Sequence, residues 1–348
     1  MGHAASLSIR PQLTVAGATL AIPLEFRAEG EQIGALQFDL TWDEPALSVA
    51  TAPGTGIRAV HKRLFRADAS TAATRHLIAA IGKEPIPDQD ALLIVFVFVD
   101  PKAAAGVYSV SLKNIVVSTL DAQPAVVRDT TTQITVQGGG PAPVIVNQGI
   151  LNFASQEALG VAPGQLITIL GPGTAFGAAA DLSATFDGIP VPVLYAGPHR
   201  LDVLAPESLS DGSFTRFQFW VEGLPVASAD CRVGATQPGL FTWDGSGLGP
   251  ALVLNDDSTP NSASDPAAPG SIIRLYGTGF GLFLAPFAAS VGGMDAEVIY
   301  AGLASGDHSG VGVVLVRVPP ESPSDAQALV LLTVGQASSA AGVTVAIR

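Results

Sequence analysis

The sequence predicts an all-β protein built as three β-sandwiches in series, and three observations carry that prediction. The 348 residues are 48% hydrophobic and include 38 Gly and 26 Pro, but only 14% are charged. Apolar content of that size can fill several cores, whereas turn formers at that frequency leave little room for long helices. Apolar residues also recur with a period of two in run after run, each run bounded by Gly, Pro, Asn or Asp, which is the pattern of strands between tight turns. Finally, one phrase is written twice. Ala162-Pro163-Gly164-Gln165-Leu166-Ile167-Thr168-Ile169-Leu170-Gly171-Pro172-Gly173 returns 106 residues later as Ala268-Pro269-Gly270-Ser271-Ile272-Ile273-Arg274-Leu275-Tyr276-Gly277-Thr278-Gly279. A repeat of that length marks two domains of one fold and leaves about one further domain in front of them.

The front domain reads as strands from Gln12 onward. Leu20, Ile22, Leu24 and Phe26 share one parity, with Pro23 marking an edge or a bulge. In Ile33 to Asp43, Leu36, Phe38, Leu40 and Trp42 face one side while Ala35, Gln37, Asp39 and Thr41 face the other, so the strand is half-buried and its second face is free to meet solvent or a partner. Further runs occur at Leu47 to Thr51, His76 to Gly82, Leu92 to Val99, Val107 to Val117 and Thr131 to Val136. Residues 92–99 are apolar on both parities, as expected of a strand covered on both faces.

The order Val15-x-Gly17 to Ile22-Pro23-Leu24, then Ile33-Gly34-Ala35-Leu36-Gln37-Phe38-Asp39-Leu40-Thr41-Trp42-Asp43 with Leu47-x-Val49, then the Phe-rich strand before Gly106, resembles a cohesin domain. The resemblance covers 8–138 and implies a jelly-roll β-sandwich related to cellulose-binding modules, whose one exposed sheet face binds a dockerin. Carried onto this sequence, it implies partner-facing positions at Ala35, Gln37, Asp39 and Thr41, with His76 and Lys83 as polar contacts from the next strand. Cellulosomal cohesins tend to place Asn and Asp where this chain has Ala35 and Gln37, a departure from ordinary dockerin recognition.

Gly138-Gly139-Gly140-Pro141-Ala142-Pro143 reads as a linker at 139–143, flexible and then stiff. After it, the repeats are expected at 144–243 and 244–348. Asn152-Phe153-Ala154-Ser155 is matched to Asn261-Ser262-Ala263-Ser264, and Val193-Leu194-Tyr195-Ala196-Gly197 to Val298-Ile299-Tyr300-Ala301-Gly302. These phrases, with Pro238-Gly239-Leu240-Phe241-Thr242 and Leu275-Tyr276-Gly277-Thr278-Gly279-Phe280-Gly281, resemble tandem immunoglobulin-like (IPT/TIG-type) domains at the C-terminal ends of large secreted acidobacterial proteins. That resemblance implies two immunoglobulin-like sandwiches and an extracellular or cell-surface setting, and it implies no activity.

Charge is unevenly placed. Residues 1–138 hold 11 Lys and Arg against 13 acidic residues, while 139–348 hold 6 against 17, for a net charge of −13. No lysine occurs after Lys113, so the second part has no basic patch of the kind nucleic acid or an anionic membrane requires. No segment reaches about 18 uninterrupted apolar residues, so no membrane span is expected. Met1 to Ser6 has no apolar core of leader-peptide length and reads as residues ahead of a mature domain. The single cysteine, Cys231, excludes an intramolecular disulfide and a cysteine-based zinc site and reads as a small buried hydrophobe.

Several motifs invite chemistry and yield to a structural reading. Gly277-Thr278-Gly279-Phe280-Gly281 comes directly after a strand, but a dinucleotide loop must open a helix, and Leu282 to Phe287 leads instead to another turn-bounded strand. Gly306-Asp307-His308-Ser309-Gly310 sets three triad residue types side by side, whereas triad members converge from separate elements, so a hairpin tip is expected. Asn255, Asp256 and Asp257 offer hard oxygen ligands for Ca2+ without the spacing of a known calcium loop; they are kept as weak calcium candidates beside the reading as an Asx turn. His61 and His76 have no third ligand nearby in sequence and are expected at the surface. Trp42 and Trp220 are expected in cores and Trp243 at a domain junction, which leaves no row of aromatics for sugars. The function expected is therefore a non-enzymatic, exported protein-binding or scaffold role, the front sandwich engaging a partner and the acidic tandem acting as spacer or anchor. The alternative is a carbohydrate-binding module associated with polysaccharide degradation.

Overall fold

The computed structural model describes residues 5–54, 57, 62–70, 73–80, 85–125, 127–137, 149–158, 160–170, 182–197, 200–221, 224–304 and 310–348. The linker at 139–143, Lys83, His61, the Gly171 to Gly173 turn and the Asp307-His308 pair lie outside the described residues. The described elements that build the sheets are strands throughout, in keeping with the all-β class.

The first sandwich consists of β1 (Ser6–Ile9), β2 (Gln12–Val15), β3 (Thr19–Arg27), β4 (Ile33–Trp42), β5 (Leu47–Pro53), β6 (Lys62–Ser70), β7 (Ala73–Ala80), β8 (Gln89–Val99), β9 (Gly106–Thr119), β10 (Pro124–Ala125) and β11 (Thr130–Gln137). One sheet runs β1-β3-β8-β5 and the other β2-β11-β9-β4-β7-β6, with β10 added to β9. Alternation decides which side chains go inside: Leu36, Phe38 and Leu40 of β4 meet Ile22, Leu24 and Phe26 of β3 in one core, with Trp42 packed at its margin. The run Leu92 to Val99 is apolar on both parities because β8 is covered on both faces. Its Leu93, Val95, Val97 and Val99 fill the sandwich, while Phe96 and Phe98 point outward and are buried against Leu151 and Leu170 of the next unit.

The first repeat consists of β12 (Ile150–Asn152), β13 (Leu166–Leu170), β14 (Leu182–Phe186), β15 (Ile189–Val191), β16 (Val193–Ala196), β17 (Arg200–Leu204), β18 (Phe214–Val221) and β19 (Leu224–Arg232). They form the sheets β12-β13-β17-β16 and β15-β14-β18-β19, closed over Phe186, Phe217, Phe219 and the buried Cys231. Trp220, expected in the core, is half-buried, because the alternation of β18 turns Phe217 and Phe219 inward and leaves Gln218 and Trp220 on the other face. The second repeat consists of β20 (Gly239–Leu240), β21 (Gly249–Pro250), β22 (Val253–Leu254), β23 (Ile272–Thr278), β24 (Phe287–Val291), β25 (Met294–Leu303), β26 (Gly312–Arg317), β27 (Asp325–Val334), β28 (Ala337–Ser338) and β29 (Val343–Ile347).

Pairing registers show the duplication strand by strand. β13 lies between β12 and β17 as β23 lies between β22 and β26, and a register shift occurs at Val193/Tyr195 and again at Val298/Tyr300. The second repeat nevertheless forms one ten-stranded sheet where the first forms two of four. The cause is β25, which runs unbroken from one layer to the other. Its counterpart is split into β15 and β16 at Pro192, where no amide is present to continue a ladder. The register also corrects one match. Ile150 sits opposite Ile169 and Val253 opposite Leu275, so Asn152 corresponds to Asn255, not Asn261. Beyond each asparagine the chain turns through a residue held in the left-handed region, Gln156 at φ 56° and Ser258 at φ 70°.

The glycine run that resembles a nucleotide loop has a packing role. A Cβ at Gly277, Gly279 or Gly281 would strike the carbonyl oxygens of Gly239, Gln237 and Ala235 respectively, so the run lets β23 and its turn lie directly on the 235–240 connection between the repeats. Thr278 then ties the repeats together, its Oγ1 accepting from Leu166 N at 2.9 Å and donating to Gly310 O at 2.7 Å. Asn152 adds a bond from Nδ2 to Gln237 O at 2.8 Å.

Candidate functional site

The outer face of the β2-β11-β9-β4-β7-β6 sheet is the surface to which the sequence assigns recognition. Because Cα partners in adjacent strands share a side, the registers lay out this face in rows. Phe65, Gln37 and Val116 form one row, Ala67, Asp39 and Lys113 the next, and Thr41, Ser111 and Thr131 a third; beyond these lie Ser109 with Gln133 and then Val107 with Thr135 and Leu13. Hydroxyl and amide groups and the exposed Lys113 occupy the middle, with exposed apolar residues at both ends: Leu13 is 65% exposed, Val116 59% and Val107 57%. Ser111 Oγ and Thr131 Oγ1 are 2.8 Å apart, which locks part of the hydroxyl row.

The residues assigned from sequence do not all reach this face equally. Ala35, Gln37 and Thr41 are half-buried on it. Asp39 has the right parity but is buried, because β9 carries one extra residue opposite Gln37 and Asp39. That bulge holds Asn114 at φ 53°, a conformation Asn tolerates, and its Nδ2 donates to Asp39 Oδ2 at 2.8 Å. Asp39 thus fixes the bulge that lifts Lys113 and Val116 into the open. These two residues escape a reading of the sequence, since only the bulge shows which β9 residues share the face, and Leu13 and Phe65 join them only through the pairing of β2 with β11 and of β6 with β7.

His76 departs from expectation. The sequence places it among surface and partner-contact residues, yet it pairs with Phe38 and so lies on the inner side, fully buried. Its ring stacks on Phe38 with centroids 5.1 Å apart. Nδ1–H donates to Thr74 O at 3.2 Å and Nε2 accepts from Thr51 Oγ1 at 2.8 Å, so a neutral imidazole satisfies both partners. Burial, aided by the positive charge of Arg66, pushes its pKa down to about 4. His76 lines a cavity of about 420 Å3 where the first sandwich meets the first repeat, together with Thr51, Arg66, Thr168 and Arg200.

Two of the three calcium candidates, Asn255 and Asp257, are engaged in their own turn, and Asp256 is exposed. Asn255 is buried, its Nδ2 donating to Asp265 O at 2.9 Å and its Oδ1 accepting from Asn261 Nδ2 at 3.0 Å. Asp257 Oδ1 accepts from Thr259 Oγ1 at 2.7 Å and Thr259 N at 3.0 Å, bonds that hold its carboxyl below the usual range. Among the described residues no three His, Cys, Asp or Glu side chains are grouped to hold a metal ion. Burial raises the Cys231 thiol to about 12. Trp243 is half-exposed.

No family model and no curated protein matches the chain. Solved structures are. A non-cellulosomal cohesin from Archaeoglobus fulgidus is similar at 12% identity and a TM-score of 0.34, covering 39% of this chain and 92% of its own. The sixth cohesin of scaffoldin B from Acetivibrio cellulolyticus, solved in complex with a dockerin, is similar at 15% identity and 0.35, covering 39% and 100%. A type I cohesin–dockerin complex from Clostridium thermocellum gives 10% identity and 0.36, again covering 39% and 100%. Each of these similarities spans about 39% of this chain.

Proposed function

We propose that this is a non-enzymatic binding protein whose first sandwich docks a protein partner on the outer face of the β2-β11-β9-β4-β7-β6 sheet, the tandem repeats serving as an immunoglobulin-like spacer or anchor in an exported protein. The observation that carries the reading is the composition of that face: hydroxyl and amide groups with the exposed Lys113 among them, between exposed apolar ends at Val116 and Leu13. Such a mixture suits a protein surface, which supplies both hydrogen-bond partners and apolar side chains. A sugar ring needs flat aromatic platforms, and among the described residues of this face Phe65 is the exposed ring.

Dockerins are the partner class to test first, given the resemblance of the first sandwich to cohesins. Gln37 and Ala35 on the central strand suit a partner that makes neutral contacts there. Calorimetric titration of the full chain with a panel of calcium-loaded dockerins should give binding at about 10 µM or tighter for at least one of them. An absence of heat with every member at about 100 µM would remove dockerins from the proposal.

A further inference from the structure

The cavity between the first sandwich and the first repeat brings two guanidinium groups to one space. Arg66 of β6 and Arg200 of β17 both line its volume of about 420 Å3, although residues 139–348 hold only 6 Lys and Arg against 17 acidic residues. The two strands belong to different units, so it is the packing of Phe96 and Phe98 on Leu151 and Leu170 that unites these charges.

Arg200 is fixed before any ligand arrives. Both oxygens of Asp202 accept from its Nε, at 2.8 and 3.0 Å, and Asp202 is held in turn by Thr168 Oγ1 at 2.8 Å. Its Cζ lies 5.1 Å from the ring centroid of Phe153 and 5.9 Å from that of Tyr195. Asp202 takes only the Nε side, and among the described residues Nη1 and Nη2 of Arg200 have no acceptor. Arg66 donates from Nη1 to Thr51 O, and its charge reaches His76, whose pKa it helps to lower. Around the two arginines, His76, Thr51, Thr168 and Gln156 are each more than nine-tenths buried, so the lining is polar well below the surface. The remaining wall is aliphatic, from Leu40, Val49 and Leu170.

We propose that this cavity binds a small organic carboxylate, its planar head on the Nη edge of Arg200 and its carbon skeleton against the aliphatic wall. A guanidinium fork matches two carboxylate oxygens, and one already fixed in place loses little further freedom when it binds them. Thr74 adds a second donor, since its hydroxyl lines the same space and has no partner among the described residues. An inorganic oxyanion needs donors on every side, which Leu40, Val49 and Leu170 do not supply. The volume falls within the range of about 300–1,000 Å3 usual for small-molecule sites. A ligand there would touch the first sandwich at Thr74 and Arg66 and the first repeat at Gln156 and Arg200, and so pin the two units together. The site is separate from the outer sheet face, and neither reading rests on the other.

Calorimetric titration of the full chain with succinate, glutarate and benzoate, and with sulfate as the inorganic comparison, tests this. At least one carboxylate should bind with a Kd at or below about 1 mM, at least about tenfold tighter than sulfate, and should raise the unfolding temperature. The His76 ring signals in NMR spectra should move with the same midpoint, because that ring lines the cavity. Arg200→Gln removes the fork and should weaken binding at least about tenfold. Should circular dichroism show that variant unfolded, Arg200→Lys keeps a positive charge beside Asp202 but lacks the fork, and should weaken binding as much. Arg216→Gln removes a surface guanidinium paired with Asp230 in the same repeat and should leave binding unchanged. The proposal would be overturned by no heat from any of the three carboxylates at about 10 mM. Sulfate bound as tightly as the best carboxylate, which would mean an adventitious ion only, would overturn it too. So would folded Arg200 variants of wild-type affinity, or His76 ring signals that stay in place at saturation.

Discussion

His76 makes the stability of the first sandwich depend on pH in a calculable way. In the folded chain the ring is neutral, donating from Nδ1 to Thr74 and accepting at Nε2 from Thr51. A proton on Nε2 would face the Thr51 hydroxyl in a buried site near Arg66, and the folded pKa falls to about 4 from the ordinary value of 6.5, chiefly through burial. Asp39 acts in the opposite sense, and its contribution is the smallest. Below pH 6.5 the unfolded chain binds more protons than the folded one, so this contribution is whole above 6.5 and is lost as pH falls toward 4. At about 1.4 kcal/mol for each pH unit between the two values, the loss is about 3 kcal/mol. Urea denaturation of the wild type and His76→Gln between pH 7 and pH 4 measures it, since Gln can still bond Thr51 and does not titrate. The wild type should lose about 3 kcal/mol more than the variant over that range. Parallel profiles would refute the assignment of a neutral, buried His76.

Packing sets two further outcomes. Cys231 is buried and its thiol raised to about 12, so it should be unreactive toward a thiol reagent at about pH 8 in the folded chain and should react fully in denaturant; rapid reaction without denaturant would contradict its burial. Gly279→Ala places a methyl against Gln237 O at φ 78°, and should cost about 2 kcal/mol or more in thermal or urea unfolding, whereas Gly293→Ala at φ 77°, with open space around it, should cost about 1 kcal/mol. Equal costs at the two positions would mean that the seam between the repeats is not close-packed.

Much of the fold was legible because a period of two, read against buried and exposed partners, is a local signal. The β4 alternation, the doubly buried β8 run and the paired Ala-Pro-Gly strands all needed only neighbouring residues to be read. Features set by pairing escaped. The inward turn of His76 is set by its register opposite Phe38, and the burial of Asp39 by a bulge in a strand some seventy residues away. The match of Asn152 to Asn261 rests on similar wording, while the hydrogen-bond ladder places Asn255 there. The glycine run at 277–281 reads like a loop for a ligand, and only the carbonyls of 235–239 show why side chains are excluded.

The central claim is that recognition takes place on the outer face of the β2-β11-β9-β4-β7-β6 sheet. Gln37→Arg combined with Val116→Glu alters two adjacent positions in one row of that face without touching the core, whereas Trp243→Ala alters an exposed ring far along the chain. Against whichever dockerin binds the full chain, calorimetry should show the face variant weakened at least about tenfold and the Trp243 variant unchanged. Wild-type affinity in a folded face variant would contradict that claim.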